Sequence, residues 1–426
     1  MLSTTPVRQN FLIVAALITF VLLYTSFRTP SPESDSLSYP DVDDDLDETA
    51  RQKPPKPHHD TFVKDKMLQH IQNETLGFQE IYMISLPTRT DKRDTFAMQA
   101  ALSSIKYTQI DGVEGQMVPA KALPHTMNQA VNAIGCWRAH LNVLQKIVHE
   151  DVASALIFED DADWDVSLKS QLVQFARGSR YISNTTHAEK AHSPYGDHWD
   201  ILWIGHCGTW YHEEDNRRMF VIPNDPTVEP PSYRQNVDEP DMEHWQGGPS
   251  GDNQTRIVFN SKGGICTAAY AISQQGARKA LYHMSMMPYN SPVDWGYANM
   301  CMDKSVNYTC ISVFPQIIGV SRPTGHTSKN SDIGYGDDDA RTVEEARSQH
   351  IVYSTRLNMD RLLRGETIFD SQFPEITGAE MHIEEIGAAV GHIEVLRVED
   401  LPKPKSKEGE EADVEVEWEK EEEGIE

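Results

Sequence analysis

The chain has 426 residues, a formal net charge of -27 and 39% hydrophobic residues. This length allows one large or two medium domains with an ample core. The negative charge argues against nucleic acids and anionic membrane surfaces as general partners, because both repel an acidic surface. Much of the charge lies in residues 41–48 and 408–426, which hold few aromatic residues and are predicted to be disordered.

The first element along the chain is an uncharged apolar run at residues 11–27, bounded by Arg8 and Arg28. At about 17 residues it reaches the short limit for a spanning helix. A cleaved signal peptide is the alternative, but the preceding segment has one arginine and no A-x-A-like site follows the run. We therefore predict a transmembrane anchor at residues 11–27 after a cytosolic tail at residues 1–10.

Four N-x-[ST] sequons follow the apolar run and are candidate glycosylation sites: Asn73, Asn184, Asn253 and Asn307. Together with the span they predict a single-pass type II protein of the Golgi or endoplasmic reticulum membrane, with a luminal body. Residues 28–75 are predicted to be a disordered stem, 76–375 the globular domain, and 376–426 an acidic, largely disordered tail. The five cysteines permit at most two internal disulfides, whose connectivity the sequence leaves open.

Short apolar strands alternate with helical patterns from about residue 78. Strands are predicted at 81–86, 105–110, 155–158, 200–204 and 265–272, a helix at 134–148, and a second helix capped by Ser273. This alternation predicts an α/β fold with a mostly parallel sheet and helices on both faces. The long loop at 224–254 suits a lid or an insertion.

Three consecutive carboxylates, Glu159, Asp160 and Asp161, follow the strand at 155–158. Open α/β sheets bind ligands at the ends of their strands. Oxygen ligands of this kind suit hard divalent ions, which neutralise phosphates during transfer. A solvated acidic turn is the alternative interpretation.

An ordered set of short motifs resembles glycosyltransferase family 25, which contains bacterial lipooligosaccharide and animal collagen galactosyltransferases. The motif I-N-L-x-x-R-x-D-R-R is similar to residues 84–93, and L-I-x-E-D-D to residues 156–161. Ser85, Lys92 and Ala139 replace the Asn, Arg and Ser of the family pattern. The other similar segments are D-[AG]-V-[DE]-G at 111–115, G-C-x-x-S-H at 135–140, W-D-I-L-x-x-G at 199–205, Y-x-[IL]-S-x-x-G-A at 270–277, [PA]-[VI]-D at 292–294 and S-D-I at 331–333.

The resemblance implies a GT-A-type, Rossmann-like catalytic domain that moves a hexose from a UDP-sugar to a glycan or glycoprotein hydroxyl. Galactose is the favoured sugar, inversion the favoured stereochemistry, and Mn²⁺ or another divalent cation the expected cofactor. The expected partners are therefore the nucleotide-sugar donor, the acceptor, and the membrane through the anchor, but no nucleic acid.

The resemblance also assigns residues. Asp161 is the expected metal ligand, with Asp163 as the alternative, because residues 161–163 also read D-x-D. Asp294 is the expected base that deprotonates the acceptor, beside Trp295 as a stacking platform, and His326 is a candidate to complete the metal shell. The predicted donor-binding residues are Leu86, Arg89, Arg93, Asp111, His140, Glu159 and Asp160.

Two other functions remain open. A non-catalytic member of the same fold would bind carbohydrate or protein. The replacement of the family's serine by Ala139, which removes a hydroxyl beside the histidine, is compatible with that alternative. A glycoside hydrolase would need two carboxyls across a cleft, for which Glu159 and Asp294 are available. The order of the motifs does not resemble such a hydrolase.

Overall fold

The computed structural model of the protein describes residues 65–185, 191–211, 218–333 and 341–396. The predicted transmembrane anchor at 11–27 and the acidic run at 408–426 lie outside these residues. Within them, no helix is both long and apolar enough to cross a bilayer. The fold prediction is therefore corrected for the described residues, which form a mixed α/β sheet with helices.

The strands are β1 (Glu80–Ser85), β2 (Thr108–Asp111), β3 (Ser154–Glu159), β4 (Ala162–Trp164), β5 (Ile201–Gly205), β6 (Gly208–Tyr211), β7 (Arg218–Ile222), β8 (Arg256–Ile265), β9 (Ala269–Ser273), β10 (Cys310–Phe314), β11 (Ile318–Arg322), β12 (Gly325–His326), β13 (Thr342–Val343), β14 (Arg347–Gln349), β15 (Ile368–Asp370), β16 (Glu380–His382) and β17 (His392–Val395). The helices are α1 (Thr90–Leu102), α2 (Val131–His149), α3 (Leu168–Ile182), α4 (Glu243–Gln246), α5 (Gln274–Leu281), α6 (Val293–Met302), α7 (Met359–Leu363), α8 (Pro374–Thr377) and α9 (Ile383–Ile386). A π-helical turn, Tyr282–Met286, follows α5.

The main sheet has ten strands in the order β17-β7-β8-β10-β5-β9-β3-β1-β2, with β6 attached to β8. Strand β1 pairs in parallel with β2 and β3, and β10 in parallel with β5. However, β9 runs antiparallel between β3 and β5, and β8 runs antiparallel to β10 and β7. The prediction of a mostly parallel sheet is therefore wrong.

The single strand predicted at 265–272 is instead divided between β8 and β9. The chain leaves β8 at Cys266, whose φ of 65° is a left-handed conformation, and re-enters the sheet as β9. Strand β9 then runs antiparallel to both of its neighbours, β3 and β5. The cap at Ser273 is confirmed, because its side chain accepts a hydrogen bond from the Gly276 amide.

Helices cover both faces of the sheet, as predicted. Alternate residues of β3 enter different cores: Phe158 packs with Phe96 of α1 and Phe175 of α3, whereas Ile157 packs with Trp137 of α2. All of these side chains are buried. The period of two along the strand thus divides the apolar residues between two layers.

The folded region extends past both predicted domain boundaries. Leu68 and Ile71, assigned to the stem, are buried in the core through a 3₁₀ turn. Strand β17, assigned to the tail, pairs with β7, and Leu396 is buried beside it. The boundaries predicted at 76 and 375 therefore both fall inside the fold.

Candidate functional site

Two adjoining cavities open beside the ends of β1 and β3. The first, of about 290 Å³, is lined by the first turn after β1 and by α2. The second, of about 400 Å³, is lined by the β8–β9 connection and the start of α6. Both contain Cys136, Glu159 and Asp161 in their walls. The acidic turn therefore faces both cavities.

Close backbone packing forms the floor of the first cavity. A Cβ atom on Gly135 of α2 would lie 2.3 Å from the carbonyl oxygen of Val113. A Cβ on Gly115 would lie 1.7 Å from the carbonyl oxygen of Val131. Glycine lets the loop after β2 lie directly against α2, which explains these two glycines of the motifs.

Lys92 neutralises the acidic turn from α1. Its ammonium lies 3.0 Å from an Asp160 oxygen, 3.7 Å from an Asp161 oxygen and 3.1 Å from an Asp332 oxygen. Burial alone would lower the pKa of Lys92, but the charges of Asp161, Asp160 and Asp332 raise it above its ordinary value. Burial also raises the pKa of Asp160 to about 6, against the opposing charge of Lys92.

Asp161 is held more loosely. Its carboxylate meets Lys92 and Arg322, each at 3.7 Å, which is longer than a hydrogen bond. Arg356 instead fixes the backbone of the turn, donating to the carbonyl oxygens of Asp160 (2.9 Å) and Ala162 (2.8 Å). A rigid turn with a loosely paired carboxylate at the cavity wall fits a hard divalent cation.

Asp163, the alternative metal ligand, does not fit that role. It is fully buried and lines neither cavity. Its carboxylate accepts hydrogen bonds from Gln99 (2.8 Å), Ser354 (2.5 Å) and the Trp164 amide (2.8 Å). Because its oxygens are already occupied by donors, Asp163 supports the fold.

Glu159 and His140 form a connected pair at the junction of the cavities. The His140 Nε2 atom lies 3.4 Å from a Glu159 oxygen, and the Thr267 hydroxyl donates to the same oxygen at 2.5 Å. Burial alone would raise the pKa of Glu159, but contacts with His140 and Thr267 lower it overall. The His140 Nδ1 atom meets the Tyr270 hydroxyl at 2.9 Å. The sequence alone did not indicate Thr267 or the Tyr270 contact.

Three predicted donor-binding residues line neither cavity. Arg89 binds Asp91 and Asp332 (2.6 Å), and it thereby ties α1 to the segment after β12. Arg93 binds Asp111 at 2.7 Å and the carbonyl oxygen of Ser85, also at 2.7 Å. Arg89, Arg93 and Asp111 are therefore paired within the protein and stabilise the segments around the first cavity. The predicted residues that do line it are Leu86, His140, Glu159 and Asp160.

Asp294 lies in the second cavity at the start of α6. Its two oxygens accept from the amides of Cys266 and Trp295, both at 2.8 Å. Cys266 is itself joined to Cys207 by a disulfide. The Trp295 side chain is 42% exposed, and its ring lies 6.5 Å from that of Trp210. The cavity thus presents a fixed carboxylate beside exposed aromatic surface.

His326 lies elsewhere. It is exposed, lines neither cavity, and caps a 3₁₀ turn through a contact with Ser328. The predicted role in a metal shell is therefore not supported. The four sequon asparagines are all exposed: Asn73, Asn184, Asn253 and Asn307.

The sequence profile of glycosyltransferase family 25 (LPS biosynthesis protein) matches residues 78–295, which is half of the chain. The chain belongs to glycosyltransferase family 25. The acidic turn, Asp294 and most of the lining of the first cavity lie within the match, whereas the lining residues Ser331, Asp332 and Ile333 lie beyond it.

Curated relatives in the family are distant. Procollagen galactosyltransferase 2 of Mus musculus is 23% identical over 220 residues, covering 48% of this chain and 28% of the relative. Procollagen galactosyltransferase 1 of Danio rerio is 26% identical over 148 residues, covering 32% and 22%. Inactive glycosyltransferase 25 family member 3 of Homo sapiens is 23% identical over 144 residues, covering 30% and 22%. The chain thus spans less than a third of the length of these relatives.

The sequence motifs contain only one of three basic residues that contact the acidic turn at the family 25 site. Lys92 occupies an arginine position of the first motif, so its charge was evident although its three carboxylate partners were not. Arg322 and Arg356 follow the matched segment and belong to no motif. The pairing of β4 with β11 brings Arg322 to the acidic turn, and the bridge between Asp165 and Ser354 brings Arg356 there.

Proposed function

We propose that this protein is a divalent-metal-dependent glycosyltransferase that moves galactose from UDP-galactose to a hydroxyl of a glycan or glycoprotein, with inversion. The observation that supports it best is the position of Asp161 in the wall shared by the two cavities. One cavity carries the family's donor-side motifs, and the other contains Asp294. A reaction at the shared wall brings donor and acceptor together.

The donor occupies the first cavity in this proposal. Loss of the sugar leaves a diphosphate with increased negative charge, which a divalent ion stabilises when bound. Asp161 would hold that ion, and Glu159 lies beside it to accept hydrogen bonds from the donor. Lys92 and Arg322 add positive charge within 3.7 Å of Asp161.

The acceptor occupies the second cavity. Asp294 removes the proton of the attacking hydroxyl, as the base of an inverting displacement requires. The two amides that bind its oxygens fix its direction. Trp295 offers an exposed ring for stacking against a sugar.

We infer that the protein acts in the secretory pathway. Disulfides persist in oxidising compartments, and the described residues form the pairs Cys207–Cys266 and Cys301–Cys310. The exposed sequons agree with that compartment, as do the procollagen galactosyltransferases among the relatives.

A second candidate function is binding without catalysis. Ala139 lines the first cavity at a position where the family motif has a serine, so a hydroxyl beside His140 is missing. A relative of similar identity is described as inactive. Such a protein would bind a carbohydrate or nucleotide sugar without turnover.

The test is a donor screen on the full-length protein, with release of UDP measured in Mn²⁺ and in chelator. We expect Mn²⁺-dependent turnover of UDP-galactose, lost in Asp161→Asn. A folded protein that binds a UDP-sugar without turnover would support the binding candidate. Hydrolysis of glycans without any donor would instead indicate a glycoside hydrolase.

A further inference from the structure

Cys136, His140 and Glu159 bring three different metal-binding groups together at the junction of the two cavities. The thiol sulfur, an imidazole nitrogen and a carboxylate oxygen all lie within 4.8 Å of one another. The geometry points to a soft-metal site formed by Cys136, His140 and Glu159, which takes Zn²⁺ and is separate from Asp161. This inference does not depend on the proposed transferase activity.

The spacing of the three residues explains how they converge. Cys136 and His140 lie one turn apart on α2, so their side chains share one face of the helix. Glu159 ends β3, and its oxygen lies 3.4 Å from His140 Nε2. Two ligands about 2.1 Å from a tetrahedral zinc ion stand about 3.4 Å apart, so this pair already has the required separation. The Cys136 sulfur lies within 4.8 Å of both of these atoms.

The histidine ring is oriented for this role. Tyr297 donates to the Tyr270 hydroxyl at 3.0 Å, and Tyr270 meets His140 Nδ1 at 2.9 Å. With Nδ1 held on that side, Nε2 faces Glu159. Zinc binding at Nε2 requires the tautomer in which Nδ1 carries the proton and donates it to the Tyr270 hydroxyl, as metal-bound histidines donate through their second ring nitrogen.

The ligand types distinguish this site from the acidic turn. A thiolate and an imidazole favour Zn²⁺, whereas carboxylates alone suit Mn²⁺ or Mg²⁺. The three protein ligands leave a fourth position for water or an exogenous ligand. That position opens into the cavities, because Cys136 and Glu159 line both of them.

The free thiol provides a selective probe. In the part of the chain that the structure describes, Cys136 is the cysteine outside the two disulfides. The full-length oxidised protein is dialysed against Zn²⁺ and then against buffer, and retained zinc is measured. Co²⁺ is titrated in parallel, because a cobalt–thiolate bond gives a charge-transfer absorption band.

We expect one retained zinc ion and a thiolate band with Co²⁺. Cys136→Ser, which is nearly isosteric, should lose the band and bind Zn²⁺ at least tenfold more weakly. Glu159→Gln should keep the band but also bind more weakly. Asp161→Asn is the matched control and should retain Zn²⁺ like the unmodified protein.

Two results would overturn the inference: no stoichiometric zinc retained by the unmodified protein, or equal zinc affinity in Cys136→Ser. Zinc should also slow alkylation of Cys136 in the unmodified protein, which tests the site without any substitution. Unchanged alkylation in saturating Zn²⁺ would contradict it. None of these measurements requires donor turnover, so failure of the proposed function would not affect them.

Discussion

Asp161 and Asp163 are separated by one residue but lie in different environments. Asp161 lines both cavities and meets two cations at 3.7 Å, whereas Asp163 is fully buried among hydrogen-bond donors. Residues i and i+2 of one strand face the same side, but Asp161 belongs to the turn before β4. The turn thereby separates a ligand-facing acid from a structural one.

The pair Asp161→Asn and Asp163→Asn should give opposite results. Asp161→Asn should lower transfer roughly a hundredfold, about 3 kcal/mol, because a charge contact at the leaving group is lost. It should also lose Mn²⁺-dependent donor binding while its thermal stability stays nearly constant. Asp163→Asn should cost about 1–3 kcal/mol of unfolding free energy, because its buried partners lose a charged acceptor. Mn²⁺-dependent donor binding retained in Asp161→Asn would contradict the metal assignment.

Asp294→Asn should separate binding from chemistry. We expect Mn²⁺ and donor binding to remain, because Asp294 lies in the second cavity. Transfer should fall, because an amide cannot take the proton of the acceptor hydroxyl. Calorimetric donor titration and initial transfer rates measure the two effects. Normal transfer by both Asp161→Asn and Asp294→Asn would show that the proposed site is wrong.

Lys92→Met should destabilise the protein more than Lys92→Arg. The Lys92 side chain is 10% exposed, and its ammonium compensates the charges of Asp160, Asp161 and Asp332. Removing one partner of a buried ion cluster costs about 3–5 kcal/mol, because the remaining charges stay uncompensated. Arginine retains the charge that the family motif carries at this position. Denaturant unfolding measures the difference, and equal losses in the two variants would argue against a role for the charge.

Asp165 should make stability depend on pH. Burial raises the pKa of Asp165 to about 7, although the hydrogen bond from the Tyr353 amide acts to lower it. The folded protein then retains a proton that the unfolded chain loses near pH 4. This contribution reduces stability progressively as pH rises from about 4 to 7 and is constant above that range. The Gln171 side-chain nitrogen also donates to an Asp165 oxygen, at 3.1 Å, and acts to lower the pKa, so burial is the dominant cause.

Asp165→Asn should therefore remove part of that pH dependence. Urea unfolding at pH 5 and pH 8 gives the difference for each protein. We expect Asp165→Asn to lose less stability between pH 5 and pH 8 than the unmodified protein does. An identical difference in the two proteins would show that Asp165 does not titrate in this range.

The sequence predicted local features better than long-range pairing. The strand before Glu159 and the helix containing His140 followed from apolar periodicity, and both are present. The direction of β9 could not be predicted in this way, because apolar periodicity does not show which strands lie beside β9 in the sheet. Likewise, the basic character of Arg93 suggested phosphate binding, but its charge is taken by Asp111. Pairing of charges depends on distances that only the folded chain defines.

The family match ends at Trp295, and this has a practical consequence for the choice of protein fragments. Strand β10 lies between β5 and β8 but begins at Cys310, after the match ends. A fragment of residues 78–295 would leave the middle of the sheet open, with unpaired backbone groups on two strands. It would also lack Arg356, which fixes the acidic turn. The family match is thus shorter than the part of the chain that builds the sheet and holds the acidic turn.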